Sequence, residues 1–245
     1  RMAQRMEWRF EEGSVLSIGH WYLNWGDPHD EHILTLTQLV QTTGNAMWCL
    51  REHGNVLDRI VEGAQPLLAD LNGHALRDPR VKVLNMDALV ALGEMSPTLR
   101  FDLAVVDFPD PHTYSVGKLY TTRFYKLLKE HLAPEGFAAI QSTSPLMARK
   151  SFWCIATTLE AAGFAVRPYH LAVPSFGVWG FALASPAPFA VPERTLPGLR
   201  HLNDETLPTL FAFPKDMERV PAEVNRLDNQ VLVRYHETDW RTYEK

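Results

Sequence analysis

The stretch from Phe101 to Gln141, FDLAVVDFPDPHTYSVGKLYTTRFYKLLKEHLAPEGFAAIQ, leaves few folds open to this chain. Leu103 to Val106 is a short, apolar, β-branched run, the pattern of a strand buried on both faces. The run ends in Asp107, and Asp110 follows between Pro109 and Pro111, which stop a helix from starting and stiffen the loop. The spacing predicts a helix over Lys118 to His131, a turn at Pro134-Glu135-Gly136 and a second apolar strand over Phe137 to Ile140. Strand, helix, strand is a right-handed crossover between parallel strands. Asp107, Asp110 and Gln141 then share the carboxyl edge of an open α/β sheet, the edge at which such sheets bind ligands.

At 245 residues the chain has room for one large α/β domain with small appendages rather than two full domains. Hydrophobic content of 46% with 22% charged residues fits a globular protein of the soluble class. A net charge of -5 with no basic cluster argues against nucleic acid as a partner. Cys49 and Cys154 each sit in an apolar helical pattern and read as core thiols of a reducing compartment. No apolar run reaches the ~18 residues a membrane span needs, and no signal-peptide pattern is visible. The chain begins at Arg1, which suggests a piece of something longer.

Three units are expected in order. Residues 1 to 32 form an N-terminal β appendage, with Val15, Leu16 and Ile18 among its inward candidates. It ends in the polar loop Asp27-Pro28-His29-Asp30-Glu31-His32, which also reads as a solvated loop. Residues 33 to 190 form the catalytic α/β domain, and 191 to 245 a tail packed on its outside. Within the domain, Ile33 to Gln41 is too polar for a central strand, and Gly44-Asn45 is all that stands for a glycine-rich phosphate turn. Ala46 to His53 reads as a helix closed by Gly54. Glu62 closes a strand stub and Asp87 the strand Val81 to Leu84, so with Asp107 three successive strand ends carry a carboxylate. Three at one edge favour a cationic or hydroxyl-rich ligand. After Gln141 a helix over Ala148 to Ala162 and strands over Phe164 to Val173 and Val178 to Ala184 complete the domain; a last polar helix falls near Asn225 to Trp240.

Asp107-Phe108-Pro109-Asp110-Pro111, Leu119-Tyr120 with Phe124-Tyr125, and Gln141-Ser142 resemble the signature of the polyamine aminopropyltransferases, the spermidine synthase family. The resemblance covers most of Leu67 to Ser185. It implies a Rossmann-like, class I methyltransferase-type sheet, mostly parallel, with helices on both faces. The tail Val220 to Tyr235, VPAEVNRLDNQVLVRY, resembles bacterial members whose synthase domain follows a multi-span membrane region. That implies a cytoplasmic domain tethered to the inner membrane through residues outside this chain. Homodimers are implied as well.

Such enzymes move an aminopropyl group from decarboxylated S-adenosylmethionine, a co-substrate rather than a resident cofactor, to an amine such as putrescine or spermidine. Methylthioadenosine is released, and the sulfonium leaves readily enough that no metal is implied. Donor and acceptor are both cations, for which carboxylates are the electrostatic match. By resemblance Asp107 takes the proton of the attacking amine and Asp110 holds that amine in line. Tyr120 and Gln141 shape its channel; Gly44, Asn45, Glu62 and Asp87 bind the donor, Glu62 at the ribose hydroxyls and Asp87 at the adenine amino group.

Departures from the family pattern fall between Asp30 and Glu62. The tyrosine and the His-Glu or Gln-Glu pair expected after Asp30-Glu31 are replaced by His32-Ile33-Leu34, and Asn45 stands in the place of an aspartate. Either the donor site is remodelled or residues are missing between joined flanks. Two further functions stay open: another transferase or lyase using ordinary S-adenosylmethionine on this scaffold, and a polyamine-binding domain without catalysis.

Overall fold

A computed structural model describes residues 15–19, 47–51, 79–174, 177–196, 198–199 and 201–241. Among them seven strands form one sheet: β1 (Val15–Gly19), β2 (Met47–Arg51), β3 (Val81–Asn85), β4 (Phe101–Asp107), β5 (Leu132–Gln141), β6 (Ala165–Val173) and β7 (Gly177–Ser185). Their order across the sheet is β3-β2-β1-β4-β5-β7-β6. Every pairing from β3 to β5 is parallel, and β7 runs antiparallel to both its neighbours, so β7 alone is reversed. This is the expected Rossmann-like, mostly parallel sheet. Between β1 and β4 the winding changes direction, and a crevice opens at such a point beyond the strands' carboxyl ends. The register aligns those ends: Gly19 lies beside Asp107 and Arg51, and Arg51 beside Asn85. Val106 pairs with Ile140, which sets Gln141 next to Asp107 along the same edge.

Three expectations are corrected. Val15–Gly19, assigned from sequence to an appendage, is an interior strand of the main sheet flanked by β2 and β4. Met47–Arg51, expected as helix, is β2. Four apolar residues in a row fit either state, and parallel partners on both sides select the strand. Cys49 therefore lies in a strand, not on a helix. Pro134-Glu135-Gly136, expected as the turn before β5, lies inside it. Phe101 pairs with Leu132 and Leu103 with Phe137, so β5 spends three extra residues there as a bulge. Gly136 meets the backbone of β4 so closely that an added Cβ would stand 3.0 Å from the Phe101 carbonyl oxygen.

Helices α1 (Ala88–Glu94), α2 (Tyr114–Gly117), α3 (Thr122–Glu130), α4 (Arg149–Ala161) and α5 (Val231–Arg241) complete the described elements, with 3-10 turns at Lys118–Tyr120 and Leu207–Phe211. The helix expected over Lys118 to His131 is broken at Thr121, whose extended backbone and hydroxyl cap α3 through the Phe124 amide (3.4 Å). α3 buries Phe124, Tyr125, Leu127 and Leu128 and leaves Arg123 and Lys126 exposed. Each of these large side chains contributes about 1.5–3 kcal/mol by leaving water, and with Tyr120 and Phe101 they belong to one hydrophobic core cluster.

The tail crosses α4 and returns to the site edge. Trp153 donates its indole N–H to the Met217 carbonyl (3.0 Å) and Arg149 its Nε–H to that of Glu218 (2.7 Å). Buried Asn225 donates to the Gly117 and Tyr120 carbonyls (3.1 Å each), while its own amide N–H reaches the Thr158 hydroxyl (2.9 Å). The closing helix starts at Val231 rather than near Asn225: Asn229 spends its side chain on the Arg226 amide and the Val224 carbonyl of the turn before it, and Asn225 Oδ1 accepts from the Leu232 amide in its first turn.

Candidate active site

β4 delivers Asp107 as its last residue, half-buried, and the next four residues are fixed from below. Phe108 is buried and packs edge-on against Tyr120 and Phe124, with ring centroids 5.8 and 5.4 Å apart. The Tyr120 hydroxyl lies 3.0 Å from the Pro109 carbonyl oxygen and 3.2 Å from that of Phe108. A fully buried tyrosine thus holds the loop that presents Asp110. Beyond it, His112 donates its amide N–H to the Asp110 carbonyl (2.7 Å) and its ring Nδ1 lies 2.7 Å from the same oxygen.

The Asp110 carboxylate collects donors from two distant parts of the chain. Thr143, just past β5, donates its hydroxyl to Oδ2 (2.9 Å), and His236 of α5 places Nε2 3.1 Å from the same oxygen. A carboxylate only accepts, so Nε2 carries the hydrogen. The Gln141 side chain at the end of β5 lies beside the same carboxylate without donating to it. Its neighbours are satisfied with the amide nitrogen donating to the Phe108 carbonyl (2.9 Å) and the Tyr120 hydroxyl (3.1 Å), and the oxygen accepting from Trp179 Nε1–H (2.9 Å). Asp110, Tyr120 and Gln141, all expected from sequence, therefore gather at one place, and Asp107, expected with them, ends β4 beside the end of β5.

Thr143 is unusual in its backbone. Its φ is +60°, a left-handed conformation that a β-branched residue adopts at a cost of about 1–3 kcal/mol. Gly180 of β7 fixes it by donating its N–H to the Thr143 carbonyl (2.8 Å) while accepting from the Ser142 amide (2.9 Å). The strain is stored beside Asp110.

Asp87 occupies a separate position after β3. Its Oδ1 caps α1, accepting from the Leu89 (2.9 Å) and Val90 (3.2 Å) amides, and its Oδ2 pairs with Lys118. Partial burial pushes its carboxyl up, but the Lys118 ammonium and the two helix amides outweigh that and hold it below its ordinary value. A carboxylate depressed in the folded state stabilises the fold above its unfolded pKa and loses that contribution as pH falls through the lowered value. Lys118→Met is thus expected to cost at most about 1 kcal/mol at pH 7. Its deficit relative to the parent should shrink as the carboxylate titrates in acid. Urea melts at neutral and acid pH check this, and a pH-independent deficit would contradict it.

Gly44, Asn45 and Glu62, and the Asp30-Glu31-His32 loop, lie outside the described residues. Cys154 is the buried core thiol that the sequence suggests: burial pushes it up to about 12, and it donates to the Glu223 carbonyl (3.2 Å). Among the described residues no group of three or more His, Cys, Asp or Glu side chains is placed to hold a metal ion, and no helix is long and apolar enough to cross a membrane. Sequence reasoning missed Thr143, Trp179, Lys118 and His236. Thr143, Lys118 and His236 lay within or beside the quoted motifs, but nothing in the sequence marked His236 as reaching the site.

Residues 57–193 match the family model of the spermine/spermidine synthase domain. A polyamine aminopropyltransferase of Ralstonia nicotianae is 49% identical over 181 residues, covering 72% of this chain and 34% of the relative. Polyamine aminopropyltransferases of Leptospira interrogans and Streptomyces coelicolor are 46% and 38% identical, covering 71% and 86% of this chain and 34% and 40% of theirs. The chain thus spans about a third of the length of the first two of these relatives. Among solved structures, a spermidine synthase in complex with the transition state analogue AdoDATO superposes with a TM-score of 0.63 at 19% identity, over 84% of this chain and 69% of that one. Spermidine synthase from Thermotoga maritima gives 0.60 at 17% identity, over 84% and 68%. These two likenesses show the fold.

Proposed function

The chain belongs to the spermine/spermidine synthase family, and from that premise we propose that it catalyses aminopropyl transfer from decarboxylated S-adenosylmethionine to a di- or polyamine of the putrescine or spermidine type, releasing methylthioadenosine. The observation that carries the proposal is the pair Asp107 and Asp110 at the carboxyl end of β4, where the sheet's winding reverses. Two carboxylates at a strand-switch crevice suit a ligand that arrives with positive charge at both ends.

The chemistry follows from the acceptor's protonation. An alkylammonium, with a reference pKa of ~10.4, has no lone pair to attack with. Asp110 anchors the amine with its carboxylate already fixed by Thr143 and His236. Asp107 takes the proton, and the freed nitrogen attacks the aminopropyl carbon attached to sulfur. A C–N bond forms as the C–S bond breaks, and the electron pair leaves on sulfur as neutral methylthioadenosine. Gln141 and Tyr120 hold the channel wall through the Phe108–Pro109 carbonyls. On the donor side, Gly44, Asn45 and Glu62 keep the roles that the resemblance implies. An ionised carboxylate offers about four acceptor sites; the α1 cap and Lys118 take up three on Asp87, leaving one for the adenine amino group.

The reading also carries homodimerisation and a cytoplasmic placement tethered to a membrane in the longer protein. The first rests on the family resemblance, the second on the resemblance of the tail. The test of the activity is methylthioadenosine release, followed chromatographically with decarboxylated and ordinary S-adenosylmethionine in parallel. Release from the decarboxylated donor only when a diamine is present is the expected result. Amine-independent release, or release from ordinary S-adenosylmethionine alone, would replace it with a different reaction on this scaffold.

A further inference from the structure

The strongest unassigned feature is a contact between residues 126 positions apart, His236 and Asp110. Helix α5 carries His236 and lies beyond the residues that the family model matches. It is nevertheless docked on the site from two sides. Asp239, three residues on, accepts from the amide (3.0 Å) and hydroxyl (2.8 Å) of Ser151 in the first turn of α4, where a carboxylate also meets the favourable end of the helix dipole. Val233 presses on α2 so tightly that a Cβ on Gly117 would stand 2.6 Å from its Cγ2. Between these anchors His236 is 8% exposed, and its imidazole stands against Trp240 with centroids 5.9 Å apart. The ring therefore has little freedom to turn from Asp110.

We propose that His236 is a positioning residue of the acceptor site: with Thr143 it fixes Asp110 Oδ2, so that Oδ1 is the oxygen turned to the incoming amine, and the C-terminal helix is thereby a working part of the site. The inference deepens the proposed aminopropyl transfer and rests on it. Two donors on one carboxylate oxygen hold the side chain in a single rotamer, and a rigid anchor binds a flexible diamine at lower entropic cost than a free one. Removing one donor loosens the grip on the amine. It does not touch the proton transfer at Asp107 or the donor pocket after β3. The signature is therefore a raised amine KM with kcat retained.

The test uses the 245-residue chain, steady-state kinetics with putrescine and decarboxylated S-adenosylmethionine, and calorimetric titration with putrescine. His236→Ala is expected to raise the amine KM and weaken putrescine binding about tenfold, as loss of a hydrogen bond to a charged group does, with kcat within about twofold. The KM for the donor should not move. His236→Gln, whose Nε2–H2 reaches to where the imidazole nitrogen stood, should recover most of the loss. An unchanged amine KM in His236→Ala overturns the proposal. So does a parallel fall in kcat and rise of both KM values with no rescue by glutamine, since that marks a role in folding only. If the parent chain neither binds nor turns over putrescine, the functional reading itself falls and takes this inference with it.

Discussion

Asp107→Asn is expected to lower kcat by about 10³-fold, within the range that a positioned general base contributes, with the amine and donor KM values changed little. The substitution keeps the size and planarity of the side chain and removes its basicity. The amine then binds as an ammonium and has nowhere to place its proton. Asp107 closes β4 in register with Gly19, half-buried at the sheet edge, so the fold should survive and the melting temperature stay within a few degrees of the parent. A large loss of turnover beside an unchanged melt is the combination that identifies chemistry rather than folding. Near-parental turnover in the variant would remove Asp107 from the mechanism and shift attention to Asp110.

Gly180→Ala is expected to have the largest effect on stability and to reach the site indirectly. A Cβ there would stand 2.5 Å from Cε2 of Phe152 and 2.7 Å from the Thr143 carbonyl oxygen. Neither can give way easily. Phe152 is 1% exposed and wedged against Trp153 and Phe213, with centroids 5.1 and 5.6 Å away, and the Thr143 carbonyl is the acceptor that keeps Thr143 left-handed. Overpacking of this kind costs about 3 kcal/mol, which for a domain of this size lowers the melting temperature by about 6–12 °C. As β7 is pushed from Thr143, the Thr143 hydroxyl loses its place on Asp110, and the amine KM should rise with the loss of stability. A variant that melts with the parent would show that this corner yields and that Thr143 is held by something else.

The sequence displayed the acceptor side plainly, for local reasons. A β-branched run ending in an aspartate, with prolines on both sides of the next aspartate, puts Asp107 and Asp110 at a strand end whatever lies further off. The pairing of β5 with β4 then brings in Gln141. What local pattern does not encode was read less well. Met47–Arg51 carries an apolar run that is ambiguous by itself and is decided by flanking strands, and Val15–Gly19 gives no sign that it will enter the middle of the sheet. Thr143 was visible as a residue but not as a left-handed one, because that conformation is imposed by Gly180 from another strand. His236 belongs to a polar helix whose meaning comes from docking against α2 and α4, which no periodicity announces. Tyr120, expected to help shape a channel, is fully buried and braces the loop that carries Asp110, a means that only packing makes visible.

The central claim, that this carboxylate edge serves aminopropyl transfer, is tested most directly on the amine product. The chain is incubated with decarboxylated S-adenosylmethionine and putrescine labelled with ¹⁵N at both nitrogens, and the amines are read by mass spectrometry. The account predicts a product that retains both labels and is heavier by one aminopropyl unit, formed about 10³-fold more slowly by Asp107→Asn. Labelled putrescine recovered unchanged, or heavier by a methyl group when ordinary S-adenosylmethionine is supplied instead, would contradict it.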